Sequence, residues 1–352
     1  MSDTASSPHA RLVALVVTHE RLAQLKVTLA RLLQSPPGEL AAILVVDNAS
    51  ADGTGEWLED MADPRLHVLR LPDNRGGAGG FEAGMRHAMV DLAPDWVVVM
   101  DDDARPAPGA LADFHAVPRD PRTAYAAAVR YPDGGICEMN RPGLNPFARP
   151  SALWRTLGGG GRDGYHMGAA DYDGTALRPV DMGSFVGLFV PRAAIEVTGY
   201  PEGALFLYGD DAIYSLRMRA AGIEILFDPN MAFEHDCATY APGGGVARIA
   251  PLWKAYYLFR NRLVMYRHAA GPVLFWLFAP VLIAKWRSDA RHYGADADRF
   301  RAILARAVRD GVGRRLGIGI EAVRAMADPV TRSGSCDGSG PSAEDPSRER
   351  RG

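Results

Sequence analysis

The sequence has few of the features that mark several common protein classes. Its 352 residues include only three cysteines, and these stand far apart, at Cys137, Cys237 and Cys336. Neighbouring cysteines therefore cannot form a metal-binding or redox motif, and their odd number fits a reducing compartment. Residues 1–10 are polar and lack the apolar core of a secretory signal. We expect this segment to be disordered and the catalytic part to be cytoplasmic.

The chain also lacks a large net charge. The formal net charge is −3 at pH 7, so the chain lacks the general basic field that attracts nucleic acid, and we expect no nucleic-acid partner. No Gly-Lys-Ser/Thr element is present, which excludes a P-loop. The content of 47% hydrophobic and 23% charged residues is that of a globular protein with a sizeable core.

Strand-like and helix-like patterns alternate in the N-terminal part of the chain. Short apolar runs at 12–17, 41–46, 66–69 and 96–100 are separated by segments with helical spacing of leucine and other apolar residues. This alternation predicts an α/β domain over residues 11–245, with mostly parallel strands and crossover helices. Residues 130–178 are rich in Gly, Pro and Arg and predict a long, irregular, partly mobile insertion.

The character of the sequence changes after residue 245. Residues 246–326 predict a helical, aromatic region, and 269–284 contain sixteen residues without charge, interrupted by Pro280. A membrane span needs about 20 apolar residues, so an in-plane or hairpin contact with a membrane surface is favoured. The arginine-rich helix near 299–315 would then face anionic lipid. A buried C-terminal helix or an oligomer surface is the alternative. Residues 327–352 lack periodicity and predict a disordered tail.

Three consecutive aspartates, Asp101, Asp102 and Asp103, close the apolar run at 96–100. Ligands of open α/β sheets bind at the carboxyl ends of such strands. Three carboxylates repel one another unless a cation lies among them, and a hard divalent metal held by carboxylates usually also holds substrate phosphates. An acidic turn that caps the next helix is the alternative, although a cap needs only one carboxylate.

Other polar residues follow the neighbouring strands. Thr18 and His19 follow the first strand, Asp47 and Asn48 follow the second, and a glycine-rich stretch over 74–84 follows the third. These groups should converge on one edge of the sheet. The glycines let a ligand approach the backbone and are expected to precede a helix whose N-terminus favours anions. A dinucleotide fingerprint is excluded, because Glu82 stands where the third glycine is needed.

Two further elements lie more than a hundred residues downstream. Asp210 and Asp211 stand at the start of a predicted helix. We favour Asp211 as a base that accepts a proton from a substrate hydroxyl, and Asp210 as helix cap or acceptor ligand. His235 follows an apolar strand and is either a core histidine or a metal ligand. An imidazole beside carboxylates suits Mn²⁺ better than Mg²⁺.

Over roughly residues 11–240, these motifs together resemble the inverting glycosyltransferases of family 2, which have the GT-A fold. The Rossmann-like GT-A domain binds a nucleotide sugar. The glycine-rich stretch, the aspartate triplet and the downstream residues Tyr256, Tyr257, Arg260, Asn261 and Arg262 most resemble the galactofuranosyltransferases that build actinobacterial cell-wall galactan. The combination is specific, whereas each piece is common alone.

The resemblance implies a role for each motif residue. A divalent metal, with Mn²⁺ favoured, would be held by Asp101, Asp103 and His235, and Asp211 would be the general base. The donor side would include Thr18, His19, Asp47, Asn48, Arg75, Gly76, Gly77 and Asp102. The acceptor side would include Asp210, Tyr208, Ser184 and Phe185.

The implied enzyme transfers galactofuranose from UDP-galactofuranose to a hydroxyl of a polyprenyl-diphosphate-linked glycan. It would work at the cytoplasmic face of the plasma membrane as a peripheral or monotopic protein, with a homo-oligomer as an option. One alternative is a rhamnosyltransferase that uses a deoxythymidine-diphosphate donor. Another is a non-catalytic scaffold protein that binds nucleotide sugars.

Overall fold

A single nine-stranded sheet forms the centre of the N-terminal part. The computed structural model describes residues 10–237 and 248–327. The strands are β1 Leu12–Thr18, β2 Ala42–Asp47, β3 Leu66–Arg70, β4 Trp96–Asp101, β5 Ala104–Pro106, β6 Thr123–Arg130, β7 Arg178–Val180, β8 Leu188–Pro191 and β9 Glu224–His235. Their spatial order is β3-β2-β1-β4-β8-β6-β9-β5, and β7 pairs with β9.

Parallel pairing brings the carboxyl ends of the first strands together. Strand β1 pairs in parallel with both β2 and β4, so that Thr18 lies beside Asp47 and Val17 beside Asp101. The residues of β1, β2 and the first five positions of β4 are buried, as expected for strands covered on both faces. The sheet therefore presents the polar residues that follow these strands at one edge.

The remaining strands make the sheet mixed, and they bring distant segments to the same edge. Strand β8 runs antiparallel to β4 and β6, whereas β6 and β9 are parallel. The short strand β5 pairs antiparallel with the end of β9 and sets Ala104 opposite His235. Strand β9 is the longest of the nine, with twelve residues. The α/β fold class is confirmed.

Helices cover both faces of the sheet, and further helices follow it. They are α1 Leu22–Leu32, α2 Thr54–Glu59, α3 Gly76–His87, α4 Ala110–Ala116, α5 Pro150–Arg155, α6 Ala169–Tyr172, α7 Arg192–Thr198, α8 Asp210–Ala220, α9 Lys254–Ser288, α10 Ala297–Val312 and α11 Ile320–Ala327. Buried side chains of α1 and α4 belong to one core cluster, and those of α3 and α8 to the cluster on the other face.

The glycine-rich stretch differs from its prediction. It does not form a loop ahead of a helix, because α3 begins at Gly76 and includes the following glycines. The reason is close packing. A Cβ at Gly80 would meet Val17, and one at Gly84 would overlap Leu15, so a helix with side chains here could not lie as close to β1. Packing against the sheet overrides the low helix propensity of glycine.

The insertion at 130–178 is more ordered than its composition predicts. It contains α5 and α6, and it contributes Cys137, Ala152 and Tyr172 to the set of buried residues. The buried carboxylate of Asp181 ties it to the sheet, since it accepts bonds from Nε of Arg149 at 2.6 Å and from Nε of Arg219 at 3.1 Å. Polar pairing rather than an apolar pattern therefore orders this segment.

The C-terminal region is helical, as predicted, and α9 is bent. Gly271 has non-helical angles, φ 72° and ψ 171°, and Pro272 follows it, so α9 consists of two helices. Within the described residues, the run from Lys254 to Val312 contains one helical stretch long and apolar enough to cross a membrane, and 17% of that stretch is buried. The stretch thus differs from a core helix, whose apolar side chains are mostly covered.

Candidate active site

Asp101, Asp103 and His235 form a compact cluster of ligand atoms. One oxygen of each carboxylate and one ring nitrogen of His235 all lie within 4.8 Å of one another. Nε2 of His235 is 3.1 Å from Oδ1 of Asp103, a contact made possible by the pairing of β5 with β9. Two carboxylates and one imidazole are a donor set suited to Mn²⁺ or a similar divalent ion. The chemistry of these residues therefore fits a metal.

The electrostatics of the cluster also favour a cation. Burial is the largest cause that raises the pKa of Asp101 to about 7; the charge of His235 opposes this shift, and the charges of Asp103 and Asp102 add to it. Burial alone would lower the pKa of His235, but its bond to Asp103 raises it to about 10. The crowded carboxylates therefore favour added positive charge in the cluster. A divalent cation would meet the same need.

Asp102 has a different environment from its neighbours. Its carboxylate accepts a hydrogen bond from the hydroxyl of Thr18 at 2.8 Å and lies 3.4 Å from Nε of Arg21. Arg21 also donates to Asp103 at 2.7 Å. Asp102 and Thr18 are both buried, and their side chains are hydrogen-bonded to each other. The predicted donor contacts of these two side chains are therefore not favoured, and both instead support the turn that carries Asp101 and Asp103.

Asp47 and His19 lie at the ends of adjacent strands with unused polar atoms. Oδ1 of Asp47 accepts the amide of Ser50 at 2.9 Å. The other oxygen, Oδ2, and Nδ1 of His19 are buried without a hydrogen-bond partner in the part of the chain that the structure describes. Oδ2 of Asp47 nevertheless lies 3.4 Å from Nε of Arg70. Buried unpaired polar atoms are rare, so this pair is suited to a polar ligand such as a base or ribose.

Asn48 is placed differently from its prediction as a donor-binding residue. Its side-chain amide donates to the carbonyl of Gly76 at 3.0 Å, and its side-chain oxygen accepts the amide of Arg75 at 2.9 Å. Because these contacts use both ends of the side chain, Asn48 fixes the turn into α3. Arg75 itself is half exposed at the mouth of the site, where it can reach a ligand.

Gly76 has a conformation and a neighbour that exclude other residues. Its φ is +69°, and a Cβ at this position would overlap the carbonyl oxygen of Phe206. The turn before α3 therefore touches the loop before α8. Gly77 has open space around it, so its backbone is accessible to a ligand.

Asp211 lies in the first turn of α8 and faces the aspartate cluster. Its negative charge contributes to the raised pKa of Asp101, so the two carboxyls are near enough to interact. Oδ1 of Asp211 accepts the amide of Ala212 at 2.7 Å. Burial raises the pKa of Asp211 itself. A carboxylate with a raised pKa, open on one side to a cleft, is suited to proton abstraction.

Asp210 and Tyr208 frame the entry to α8. Gly209, with φ +76°, is the N-cap of this helix, so the predicted cap at Asp210 is displaced by one residue. Burial, followed by the charge of Asp211, raises the pKa of Asp210 to about 8. Tyr208 has φ +71° and a side chain that is 37% exposed. Neither side chain lines the large cavity described next.

A cavity of about 550 Å³ opens beside Asp211. Its walls come from the insertion, from the loop before β8 and from both halves of α9. They include Ser184, Asp211, Phe147, Leu153, Leu157, Tyr266 and Phe278. Most of these are apolar, so the cavity joins a carboxylate to a largely apolar chamber. Ser184 is thus placed where the sequence predicted an acceptor.

Phe185 is wrong as an acceptor side chain. It is buried in the core, with its ring centroid 4.7 Å from that of Phe81 and 5.9 Å from that of Tyr214. Ser184 and Phe185 precede β8, and they lie on different sides of this loop, since Ser184 lines the cavity and Phe185 belongs to the core. The backbone of Phe185 still contributes, because its amide bonds to Asp211 and lowers the pKa of that carboxyl.

Arg260 and Asn261 of α9 hold the loop that leads to Asp211. Asn261 donates to the carbonyls of Leu207 and Tyr208, each at 2.8 Å. Arg260 is fully buried and donates to the carbonyl of Leu205 at 2.6 Å. The C-terminal region therefore belongs to the same site as the sheet.

Comparisons with known proteins agree with this geometry. The family described as "Glycosyl transferase family 2" matches residues 13–168. Galactofuranosyltransferase GlfT1 of Mycolicibacterium smegmatis is 28% identical over 256 residues, which are 71% of this chain and 80% of that protein. Residues 13–168 of this chain match a family 2 glycosyltransferase domain. The chain resembles galactofuranosyltransferases, and this similarity favours an enzyme over the scaffold alternative.

Further similarities support the family and the fold. Galactofuranosyltransferase GlfT1 of Mycobacterium tuberculosis is 29% identical to the glycosyltransferase described here over 64% of this chain and 70% of that protein. The crystal structure of GalNAc-T7 with UDP, GalNAc and Mn²⁺ superposes with a TM-score of 0.51 and 13% identity. That match covers 74% of this chain and 48% of GalNAc-T7, and at this identity it shows the GT-A fold alone.

Proposed function

We propose that this glycosyltransferase moves galactofuranose from UDP-galactofuranose to a hydroxyl of a lipid-linked glycan, with inversion at the anomeric carbon and a divalent metal. The observation that carries the proposal is the juxtaposition of Asp211 with the cluster of Asp101, Asp103 and His235 at one sheet edge. Two relatives named galactofuranosyltransferases support the donor sugar.

The donor is proposed to lie across the ends of β1, β2 and β4. The unpaired atoms of His19 and Asp47 would receive the uridine, and Arg75 would reach it from the rim. The backbone at Gly77 is open to the diphosphate side. The metal would neutralise charge on the diphosphate, acting as a Lewis acid for the leaving group. GalNAc-T7, a protein of the same fold, was crystallised with UDP and Mn²⁺.

The reaction proposed for this site is a single displacement. The acceptor hydroxyl gives its proton to a carboxylate oxygen of Asp211 as it attacks the anomeric carbon. The bond between that carbon and the diphosphate oxygen breaks, and UDP leaves with the bonding electron pair. Attack from the face opposite the leaving group inverts the centre, so no nucleophilic side chain is needed. Asp101, Asp103 and His235 would orient the diphosphate throughout.

The acceptor is proposed to enter from a membrane surface. The second half of α9 exposes a set of large apolar side chains, namely Val273, Leu274, Trp276, Leu277 and Val281, and α5 with the residues after it exposes Trp154 and Leu157. We call these seven residues the apolar rim. Leu157 also lines the cavity, and Phe147 and Phe278 stack at 4.9 Å between the two segments. The apolar rim is therefore continuous with the chamber beside Asp211.

The length of the exposed helix favours contact with one leaflet. From Pro272 to Ala284 it rises about 20 Å, whereas the hydrocarbon core is about 30 Å thick. Lys285 and Arg287 stand in its last turn, where they would meet anionic headgroups. A monotopic position at the cytoplasmic face of the membrane follows from this proposal.

The proposal is tested by measuring UDP release with a lipid-linked glycan acceptor and a panel of nucleotide sugars. We expect turnover with UDP-galactofuranose in Mn²⁺, its loss in EDTA, and a fall of at least about 10³-fold in Asp211→Asn, because the base is removed. Asp113→Asn, an exposed change on α4, is the matched control and should remain active.

Different outcomes separate the alternatives. Turnover with a deoxythymidine-diphosphate rhamnose donor instead would assign the rhamnosyltransferase function. Full activity in Asp211→Asn would remove this residue from the reaction, and full activity in EDTA would contradict the metal requirement.

A further inference from the structure

Asn140 lies between the candidate metal cluster and the candidate acceptor cavity. It belongs to the insertion at 130–178, in which no motif singles out this residue. The side chain is 7% exposed and all its polar atoms are used. Oδ1 is 2.7 Å from Nδ1 of His235 and 2.9 Å from Sγ of Cys137, and Nδ2 is 3.0 Å from Oγ of Ser184. One amide therefore contacts a residue of each site.

The contact with His235 determines which ring nitrogen carries a proton. The side-chain oxygen of Asn140 can only accept, so Nδ1 of His235 must donate. A metal-ligating histidine is neutral, and with its proton on Nδ1 the lone pair would lie on Nε2, the nitrogen that is 3.1 Å from Oδ1 of Asp103. This tautomer is the one that a metal-ligating histidine needs, and a partner on the remote nitrogen typically fixes it.

The contact with Ser184 determines where a hydroxyl proton points. Oγ of Ser184 accepts from Nδ2 of Asn140 at 3.0 Å and from the amide of Val186 at 3.3 Å. Both lone pairs are then occupied, so the O–H of Ser184 is free to donate. Because Ser184 lines the cavity beside Asp211, this donor is presented to a ligand there.

Asn140 also competes with two thiols for Nδ1 of His235. Cys137, Cys237 and His235 have ligand atoms within 4.8 Å of one another, and Sγ of Cys137 is 3.8 Å from Nδ1 of His235. Oδ1 of Asn140 is closer to Nδ1, at 2.7 Å. It therefore occupies Nδ1, the nitrogen that lies near the soft thiol ligands, and leaves Nε2 beside the carboxylates.

We propose that Asn140 is a positioning residue that sets the ligand tautomer of His235 and, through the same amide, the donor direction of Ser184. It would thus couple metal binding to acceptor recognition without touching either ligand. The inference rests on the proposed function, since it assigns the cluster to a metal and the cavity to an acceptor.

Two variants separate the two ends of the amide. Asn140→Leu has a similar volume and no acceptor, and we expect Mn²⁺ to bind about 10- to 100-fold more weakly, as for loss of a partner to a metal-ligating histidine. Asn140→Asp keeps an acceptor for Nδ1 and removes the donor to Ser184. We expect it to bind Mn²⁺ within about threefold of the wild type while the acceptor KM rises about tenfold.

The readouts are Mn²⁺ titration by electron paramagnetic resonance, which needs no turnover, and acceptor KM at saturating metal. Ser184→Ala is the control for the second end and should raise the acceptor KM with unchanged Mn²⁺ affinity. Wild-type Mn²⁺ affinity in Asn140→Leu would overturn the proposal. A loss of about tenfold or more in the Mn²⁺ affinity of Asn140→Asp, measured against the wild type, would also overturn it, and this test does not depend on whether Asn140→Leu folds.

Failure of the proposed function can be distinguished from failure of the inference about Asn140. If the wild type neither binds Mn²⁺ nor releases UDP, the metal assignment is wrong, and the role of Asn140 fails with it. If the wild type binds Mn²⁺ and releases UDP, and Asn140→Leu and Asn140→Asp have the Mn²⁺ affinity and acceptor KM of the wild type, only the inference about Asn140 is overturned.

Discussion

Replacing Asn261 should slow the chemical step from a position outside the cavity. The carboxamide of Asn261 donates to the carbonyls of Leu207 and Tyr208 at 2.8 Å each and to that of Leu205 at 3.1 Å. These bonds hold the loop that leads directly into the helix bearing Asp211. In Asn261→Ala the loop loses the equivalent of two to three bonds, at about 1 kcal/mol each.

The expected effect is therefore about 2–3 kcal/mol. If this whole free energy is lost from the positioning of Asp211 in the transition state, kcat decreases by about 30- to 150-fold. KM for the donor should change less than kcat, because within the described residues Asn261 bonds to this loop and reaches the donor side only through the contact of Phe206 with Gly76. The assay is steady-state UDP release at saturating acceptor, with the thermal midpoint measured in parallel to show that the variant is folded.

The control is Arg262→Ala, an exposed change one residue along the same helix. It should leave kcat unchanged. A folded Asn261→Ala protein with kcat within about twofold of the wild type would refute the reasoning, because the loss of these bonds would then be without consequence for catalysis.

Three further predictions follow from titration and exposure. Burial raises the pKa of Asp211, and a general base must be deprotonated to act. In a pH–rate profile, kcat should therefore increase with pH through a midpoint above the ordinary carboxyl pKa of about 4. A midpoint at about 4 would contradict this assignment. Burial would raise the pKa of Asp181, but its bonds to Arg149 outweigh this and lower it. Its pair therefore stabilises the fold above the unfolded pKa of about 3.9, and that stability is lost as the pH falls through the lower folded value. Asp181→Asn should cost about 3 kcal/mol in urea unfolding at pH 7 and less near pH 3, and an equal cost at both would argue against the ion pair. Leu277→Glu should weaken binding to anionic vesicles about tenfold, whereas Val27→Glu, an exposed change on α1, should not; equal binding by all three proteins would remove the apolar rim from the membrane contact.

The parts of the fold that are local in sequence could be predicted. Apolar runs ending in polar residues predicted β1, β2 and β4, and parallel pairing then brought Thr18, Asp47 and Asp101 to one edge. Asp103 and His235, which are 132 positions apart, were grouped from the resemblance. Their contact depends on the short strand β5, which no sequence pattern indicates because it has only three residues.

Other features could not be predicted because their cause is tertiary packing. The helix α3 contains glycines that a propensity argument assigns to a loop, since only contact with β1 requires them to be small. Phe185 follows Ser184 in sequence, yet it faces the core. Arg21 and Asn140 lack any motif or periodic signal, and their importance is visible only from the residues they bond.

The side chains that close the site from the C-terminal region are an intermediate case. The residues Arg260 and Asn261 were noted through a resemblance, and their role as supports of the loop at 204–208 required the structure. A buried arginine in a helix otherwise rich in aromatic residues is the signal that could have indicated such a role, because a buried charge needs several partners.

The central claim is that Asp101, Asp103 and His235 hold a divalent cation against the diphosphate of the donor. Calorimetric titration of UDP tests it most directly, with Mn²⁺ or with EDTA, for the wild type and for Asp103→Asn. The account predicts that UDP binds the wild type only with Mn²⁺ and that Asp103→Asn loses this metal-dependent binding while remaining folded. UDP binding of equal affinity with and without Mn²⁺, or in wild type and variant alike, would contradict it.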